Sequence, residues 1–197
     1  MLHQTSDGPS IVDLGQQVYD LSLVRRDKEF ITGPSGDPIE WLLDSRVPML
    51  MGAMARDIGR AFVKRLRERG VVQIAGYGMG AYPVVCAALN APGAPTLRGG
   101  FVRKRRKEYG RHRLVEGPIT KNKSLVLMDD ILNSGTSALH ALEVLREEGY
   151  DVVGFLSLFE FTWSQGRSRL QAEGLWVDSL IDLCIGDEDG TASSDSV

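Results

Sequence analysis

An α/β fold, with a mostly parallel central sheet flanked by helices, is what this sequence predicts, on three observations. Short apolar runs of strand length alternate with stretches whose apolar residues recur every three or four positions, the rhythm of strand and amphipathic helix taken in turn. The run Leu125-Val126-Leu127-Met128 is continuous rather than alternating, which suits a strand buried on both faces, and such strands belong to parallel sheets. Loops of glycine or small residues stand between strand and helix at 76–81 and 133–137, the connections that carry function in such sheets. A chain of 197 residues, 43% hydrophobic and 25% charged, accommodates one domain with a full core.

Residues 1–9 are polar and expected to be flexible, after which Ile11, Leu14, Val18, Leu21 and Leu23 predict a helix that packs as a hood or dimer element. Gly33, Pro34, Gly36 and Pro38 predict a turn, followed by a short strand over 39–43. Over 48–69, Leu50, Met54, Ile58, Phe62 and Leu66 recur every four residues, so one face of a single helix is buried and Arg56, Arg60, Lys64, Arg65 and Arg67 face water or phosphate. Gly70 ends that helix. A strand over 71–75, a glycine loop, a helix over 81–89, a break over 91–95, a strand over 97–102 and a basic loop lead to the strand at 125–128. A helix to residue 148, a strand over 152–158, a helix over 168–173 and a strand over 176–183 complete the βα alternation. Residues 187–197 are acidic and Ser-rich, a composition that predicts a disordered tail.

Composition excludes several classes of function. A net charge of −3 argues against a general nucleic-acid binder, although a local basic patch survives that objection. Two cysteines cannot build a disulfide scaffold, and Cys86 in an apolar helix and Cys184 in an apolar terminal strand read as buried thiols of a reducing compartment. No signal peptide and no apolar run of bilayer length is visible, so the expected location is the cytoplasm, with no membrane partner.

The stretch from Leu125 to Ser137 carries the chemistry. Asp129 and Asp130 are expected at the carboxyl edge of their strand, and Asn133 to Ser137 are small or hydroxylated ahead of the helical pattern Leu139, Leu142, Leu145. Free N–H groups at that helix start can hold a phosphate. Paired carboxylates beside such a nest would repel a bare anion, but they suit a sugar whose vicinal hydroxyls donate to them while its 5-phosphate lies in the loop. The ligand read from the residues is a phosphorylated ribose.

This stretch resembles the signature of the type I phosphoribosyltransferases, which use 5-phosphoribosyl-1-pyrophosphate (PRPP). The resemblance implies that family's fold, with a small N-/C-terminal hood, over residues 10–186. It also implies that Asp129 and Asp130 meet the ribose hydroxyls while Asn133, Ser134, Gly135, Thr136 and Ser137 bind the 5-phosphate. Asn133 departs from the residues usual there, which leaves the nest intact because backbone donors do most of its work. Gly76-Tyr77-Gly78-Met79-Gly80-Ala81, between strand and helix, fits a loose dinucleotide fingerprint but lacks the acidic residue expected about twenty residues on. Taken alone it is also consistent with a plain tight turn. In the family it lies where pyrophosphate is held, so Tyr77, Gly78, Met79 and Gly80 would supply backbone contacts.

Phe101 to Arg113 packs seven basic residues into a segment that cannot fold as core. Its Arg-Lys-x-x-Lys-x-x-Gly frame is similar to the mobile catalytic loop of orotate phosphoribosyltransferases, which closes over the pyrophosphate, often from the neighbouring subunit of a dimer. The resemblance implies that Arg103, Lys104 and Lys107 meet PRPP or the developing pyrophosphate, with Lys107, Arg103, Asp129 and Asp130 as the catalytic set. Tyr109 replaces the usual histidine, and His112, three residues displaced, is not assigned its role. Mg²⁺ is the implied cofactor, held mainly by PRPP and water with no direct protein ligand.

The similarity to the orotate enzymes runs from about Phe30 to Leu183, yet the cations that complement an anionic pyrimidine are missing: Pro34 stands for the lysine before Ser35-Gly36, and Thr162 for the arginine. With Phe161 and Trp163 at the same mouth, the base pocket of Phe161, Thr162 and Trp163 favours a flatter, less charged base than orotate. The implied activity is phosphoribosyl transfer from PRPP to a nucleobase or base-like heterocycle with release of pyrophosphate, by a homodimer that shares the basic loop. A catalytically silent PRPP sensor is the alternative; a nucleic-acid-contacting protein, using the basic loop and arginine-rich helix, is a third reading.

Overall fold

The computed structural model describes residues 11–33, 35–106, 110 and 112–184. Both terminal segments, and with them the expected flexible N-terminus and acidic tail, lie outside the described residues, as do Pro34, Lys107 and Tyr109.

The chain begins with a small hood. Helix α1 (Ile11–Ser22) buries Leu14 and Val18, and its last turn is closed by the Ser22 hydroxyl donating to the Val18 carbonyl at 2.7 Å. Leu23 leaves the helix expected to contain it: β1 (Leu23–Arg25) pairs antiparallel with β2 (Trp41–Leu43), setting Leu23 opposite Leu43. The single helix expected over 48–69 is two, α2 (Arg46–Met49) and α3 (Gly52–Glu68), with Met51 extended between them. Pro48 explains the break, because proline fits the first turn of a helix but obstructs a helix running through it. Leu50, assigned by spacing to the buried face, falls in the joint and is 76% exposed, while Ile58, Phe62 and Leu66 are buried as expected.

The central sheet follows: β3 (Gln73–Tyr77), α4 (Ala81–Asn90), β4 (Arg98–Val102), β5 (Val115–Glu116), β6 (Leu125–Leu132), α5 (Thr136–Glu147), β7 (Val152–Phe161), α6 (Gly166–Ala172) and β8 (Trp176–Leu183). Six strands lie in the order β5-β4-β3-β6-β7-β8, all parallel except β5, which runs antiparallel to β4. Helices α3, α5 and α6 end alike. A glycine with positive φ (Gly70 +65°, Gly149 +83°, Gly174 +82°) turns the chain, and the next residue's N–H bonds back to Leu66, Leu145 or Leu170. Each turn delivers the chain into β3, β7 or β8.

Two cores result. One holds Val18, Ile58, Phe62, Val84 and Val85 against one face of the sheet, and the other holds Leu142, Leu145 and Leu170 against the opposite face. Helices α4 and α5 therefore cover opposite faces although β3 and β6, the strands that precede them, are neighbours. At such a reversal the loops leaving two adjacent strands diverge and open a crevice at the strands' carboxyl ends.

Several boundaries differ from expectation. β3 lies two residues later than expected and takes in Gly76 and Tyr77, and β6 runs past Met128 through both aspartates to Leu132 because backbone pairing with β7 continues from Asp129↔Ser157 to Leu132↔Glu160. A strand is held by its backbone, so polar side chains at a crevice do not end it. Both cysteines are exposed, not buried: Cys86 follows the buried Val85 onto the outer side of α4, and Cys184 lies just past β8. Among the described residues no helix is long and apolar enough to cross a membrane.

Candidate functional site

A cavity of about 260 Å³ opens in that crevice, lined by Tyr77, Gly78 and Gly80 after β3, by Asp129 and Asp130 of β6, by the loop from Asn133 to Ser137, and by Lys104. Tertiary structure thus brings together three segments that the sequence keeps more than twenty residues apart. Of the expected residues, Met79 points out, 75% exposed, and Arg103 is not in the lining. The Arg103 backbone N–H is held by the Leu114 carbonyl at 2.8 Å, and its Nε is buried without a hydrogen-bond partner.

The loop after β6 is shaped by glycine. Gly135 precedes α5 with φ 73°, a left-handed conformation that side chains rarely adopt, and the first residues of the helix, Thr136 to Ala138, line the cavity. Helix α6 braces this loop from outside. A Cβ on Gly166 would lie 2.0 Å from the Asn133 carbonyl oxygen, so only glycine lets α6 approach. Ser164 Oγ donates to the same carbonyl at 2.7 Å, and Arg169 Nη1 donates to the Ser134 carbonyl and to Thr136 Oγ1 at 3.3 Å. The sequence reading had given none of these three a place at the site. Arg169 brings a cation to the phosphate loop from 33 residues away along the chain, a distance at which sequence pattern carries no signal.

The two aspartates are not equivalent. Asp129 accepts the Asp130 backbone N–H at 2.9 Å, and its carboxyl is pushed well above the usual carboxylate range, first by burial and then by the charge of Asp130. Asp130 accepts a hydrogen bond from Ser45 Oγ at 2.5 Å, and a Cβ on Gly80 would lie 2.4–2.5 Å from its carboxylate atoms. Gly80 is therefore required for contact rather than conformation, since its φ of −66° suits any residue. Ser45 was missed because nothing near it in sequence marks it.

Among the described residues no group of three or more metal-ligating side chains exists, and the Arg46 guanidinium is near enough to Asp130 to feel its charge.

The expected base-pocket residues Phe161, Thr162 and Trp163 are not among the residues that line this cavity; around them the hood meets the carboxyl end of β7. Phe161 and Trp163 stack at 4.8 Å with 13° between planes, and Trp41 of β2 meets both edge-on at 5.8 and 6.5 Å. Thr162 does not join them: its N–H and hydroxyl donate to the Leu183 carbonyl at 3.0 and 2.9 Å, tying the turn to β8. Next to Phe161 in β7, the buried Glu160 is paired by Arg167, whose Nε donates at 2.7 Å and whose Nη1 donates to the Val177 carbonyl at 2.8 Å. In the basic loop Arg106 is spent on Glu148 at 2.6 Å and the His112 carbonyl at 2.9 Å, which leaves Lys104 as the described cation of that loop on the cavity.

No family model matches the chain. It is 29% identical over 176 residues to the orotate phosphoribosyltransferase of Mycobacterium tuberculosis H37Rv, a match covering 89% of this chain and 96% of that protein. The crystal structure of the H37Rv enzyme in complex with Fe(III) dicitrate superposes with a TM-score of 0.78 at 28% identity, covering 89% of this chain and 97% of the other. Its structure in complex with PRPP gives a TM-score of 0.74 at 28% identity, covering 88% and 96%.

Proposed function

We propose that this chain is a type I phosphoribosyltransferase, a reading its similarity to orotate phosphoribosyltransferases supports, and that it transfers the 5-phosphoribosyl group of PRPP to a flat nucleobase or base-like heterocycle of low charge, releasing pyrophosphate. One observation carries this reading: a single cavity is lined by the aspartate pair of β6, the loop and first turn that open α5, the glycine loop after β3 and Lys104. Each matches one part of PRPP, namely the diol, the 5-phosphate and the pyrophosphate.

The chemistry follows from where charge develops. Breaking the bond between ribose C1 and pyrophosphate makes the sugar cationic and the leaving group more anionic, so the protein gains most by neutralising oxygens. Lys104, with Arg103 and Lys107 of the same loop, meets the departing pyrophosphate, while the backbone of Gly78 and Gly80 lets it approach closely. Asp129 and Asp130 hold the 2- and 3-hydroxyls and stabilise positive character on the ring. Asn133 to Ser137 anchor the 5-phosphate, with the Arg169 charge behind them. Bound Mg²⁺ supplies further neutralisation of the pyrophosphate oxygens.

The acceptor lies against Trp163 and Trp41. The absence of a cation in that aromatic trio supports an uncharged ring over orotate, since an anionic carboxylate there would be desolvated without a partner. The exposed Val47, Leu50, Met51 and Met79 offer an apolar surface consistent with a homodimer, and the chemistry suits the cytoplasm, where PRPP is available.

The decisive experiment incubates the protein with PRPP, Mg²⁺ and a panel of bases including orotate. Pyrophosphate release with an uncharged base, faster than with orotate, is expected. Turnover of orotate as the best acceptor would overturn the base assignment, and tight PRPP binding with silence across the panel would support a PRPP sensor instead.

A further inference from the structure

Ser45 occupies the N-cap position of α2 yet makes no capping hydrogen bond with its side chain. Serine is favoured at that position because its oxygen accepts from the first turn. Here the turn is served by Asp44, whose carboxylate accepts the Arg46 N–H at 3.1 Å. The Ser45 hydroxyl, 2% exposed, instead crosses 85 residues of sequence to donate to Asp130 Oδ2 at 2.5 Å. Gly80 leaves the space that this carboxylate occupies, since a Cβ there would lie 2.4–2.5 Å from its atoms. Only four residues before Ser45, Trp41 packs edge-on against Phe161 and Trp163, the residues proposed above to face the acceptor.

We propose that Ser45 is a positioning residue for transfer: its hydroxyl fixes which Asp130 oxygen faces the ribose and, through the short segment to Trp41, docks the hood over the acceptor. Occupation of the ribose subsite and closure of the acceptor subsite are then linked, because both pull on one segment, 41–45. This rests on the transferase reading for its kinetic consequences, but the docking of the hood can be measured without any ligand.

The test uses Ser45→Ala, Ser45→Cys and Ser45→Thr in the full chain. Cysteine keeps the volume but donates poorly, whereas threonine keeps the hydroxyl. A hydrogen bond to a charged group predicts that kcat/KM for PRPP falls about 10- to 100-fold in the alanine and cysteine variants alike, with threonine within roughly fivefold of the parent. Amide hydrogen exchange over 41–51 in the ligand-free protein is expected to quicken in those two variants while β6 stays as protected as in the parent. In the parent, PRPP with Mg²⁺ is expected to slow exchange over 41–51, and Ser45→Ala to abolish that slowing.

A cysteine variant that behaves as the parent would reduce Ser45 to packing and overturn the proposal. So would unchanged exchange over 41–51 in Ser45→Ala. A parent protein that binds no PRPP would instead defeat the transferase reading, and the ligand-free exchange would still decide whether Ser45 docks the hood.

Discussion

The cavity and the aromatic cluster beside the hood are built in opposite ways. The cavity is centred on two carboxylates of β6 and the loop after it, both within one run of thirteen residues, Leu125 to Ser137, joined by the glycine loop after β3 and by Lys104. The aromatic cluster proposed to take the acceptor is made of side chains from remote segments, Trp41 of the hood, Phe161 at the end of β7 and Trp163 just beyond it. A site built on backbone donors tolerates a change such as Asn133. A site built on side chains changes its specificity one contact at a time.

The sharpest way to break this contrast is at Gly80. Gly80→Ala forces the Asp130 carboxylate aside and is expected to weaken PRPP binding about 100-fold, since charge-assisted bonds are lost, while thermal stability changes little. Calorimetric titration with PRPP and Mg²⁺ measures it; retained affinity would mean that Asp130 does not hold the diol. Beside the aromatic cluster, Arg167→Ala leaves Glu160 buried without its cation. With the Arg167 side chain 36% exposed, the cost falls at the lower end of the roughly 3–5 kcal/mol of a broken buried pair, read in a denaturant titration. PRPP affinity should survive under folding conditions, and its collapse would show the two sites to be less separable than their construction suggests.

Trp163→Ala should raise KM for the acceptor about tenfold and leave KM for PRPP unchanged, as loss of one stacking surface implies. The smallest effect sharpens the cavity's side of the contrast. Burial raises Asp129 above its ordinary value of 3.8, so the folded state binds that proton more tightly than the unfolded chain does. Stability is therefore lost as pH rises from 3.8 toward the raised value, and Asp129→Asn, which cannot ionise, escapes that loss. The ligand-free variant is expected to melt about 2–4 °C above the parent at neutral pH, with the gap closing on acidification. It should also bind PRPP poorly, a site group whose charge costs stability until a ligand arrives.

Legibility follows the same division. The run at 125–137 could be read directly because strand, acids, loop and helix start are contiguous, and periodicity located α3, α4, α5 and β8 closely. Spacing failed at Leu50, where Pro48 divides one expected helix into two, and at Cys86, where a generally apolar helix still has an outer side. Ser45, Trp41, Ser164 and Arg169 were not legible as site residues. Each reaches its place through a contact between elements far apart in sequence, and each is an ordinary residue in its own neighbourhood.

By itself the sequence determined the α/β alternation, the small-residue loop that opens α5 and the paired carboxylates, because local backbone preference and the periodicity of burial act over a few residues. Only the tertiary structure decided that β3 and β6 are neighbours whose helices leave on opposite faces, which opens the crevice. It alone set Gly80 and Ser45 against Asp130, and Trp41 against Phe161 and Trp163. Those outcomes depend on strand order and close packing, which no window of sequence encodes on its own.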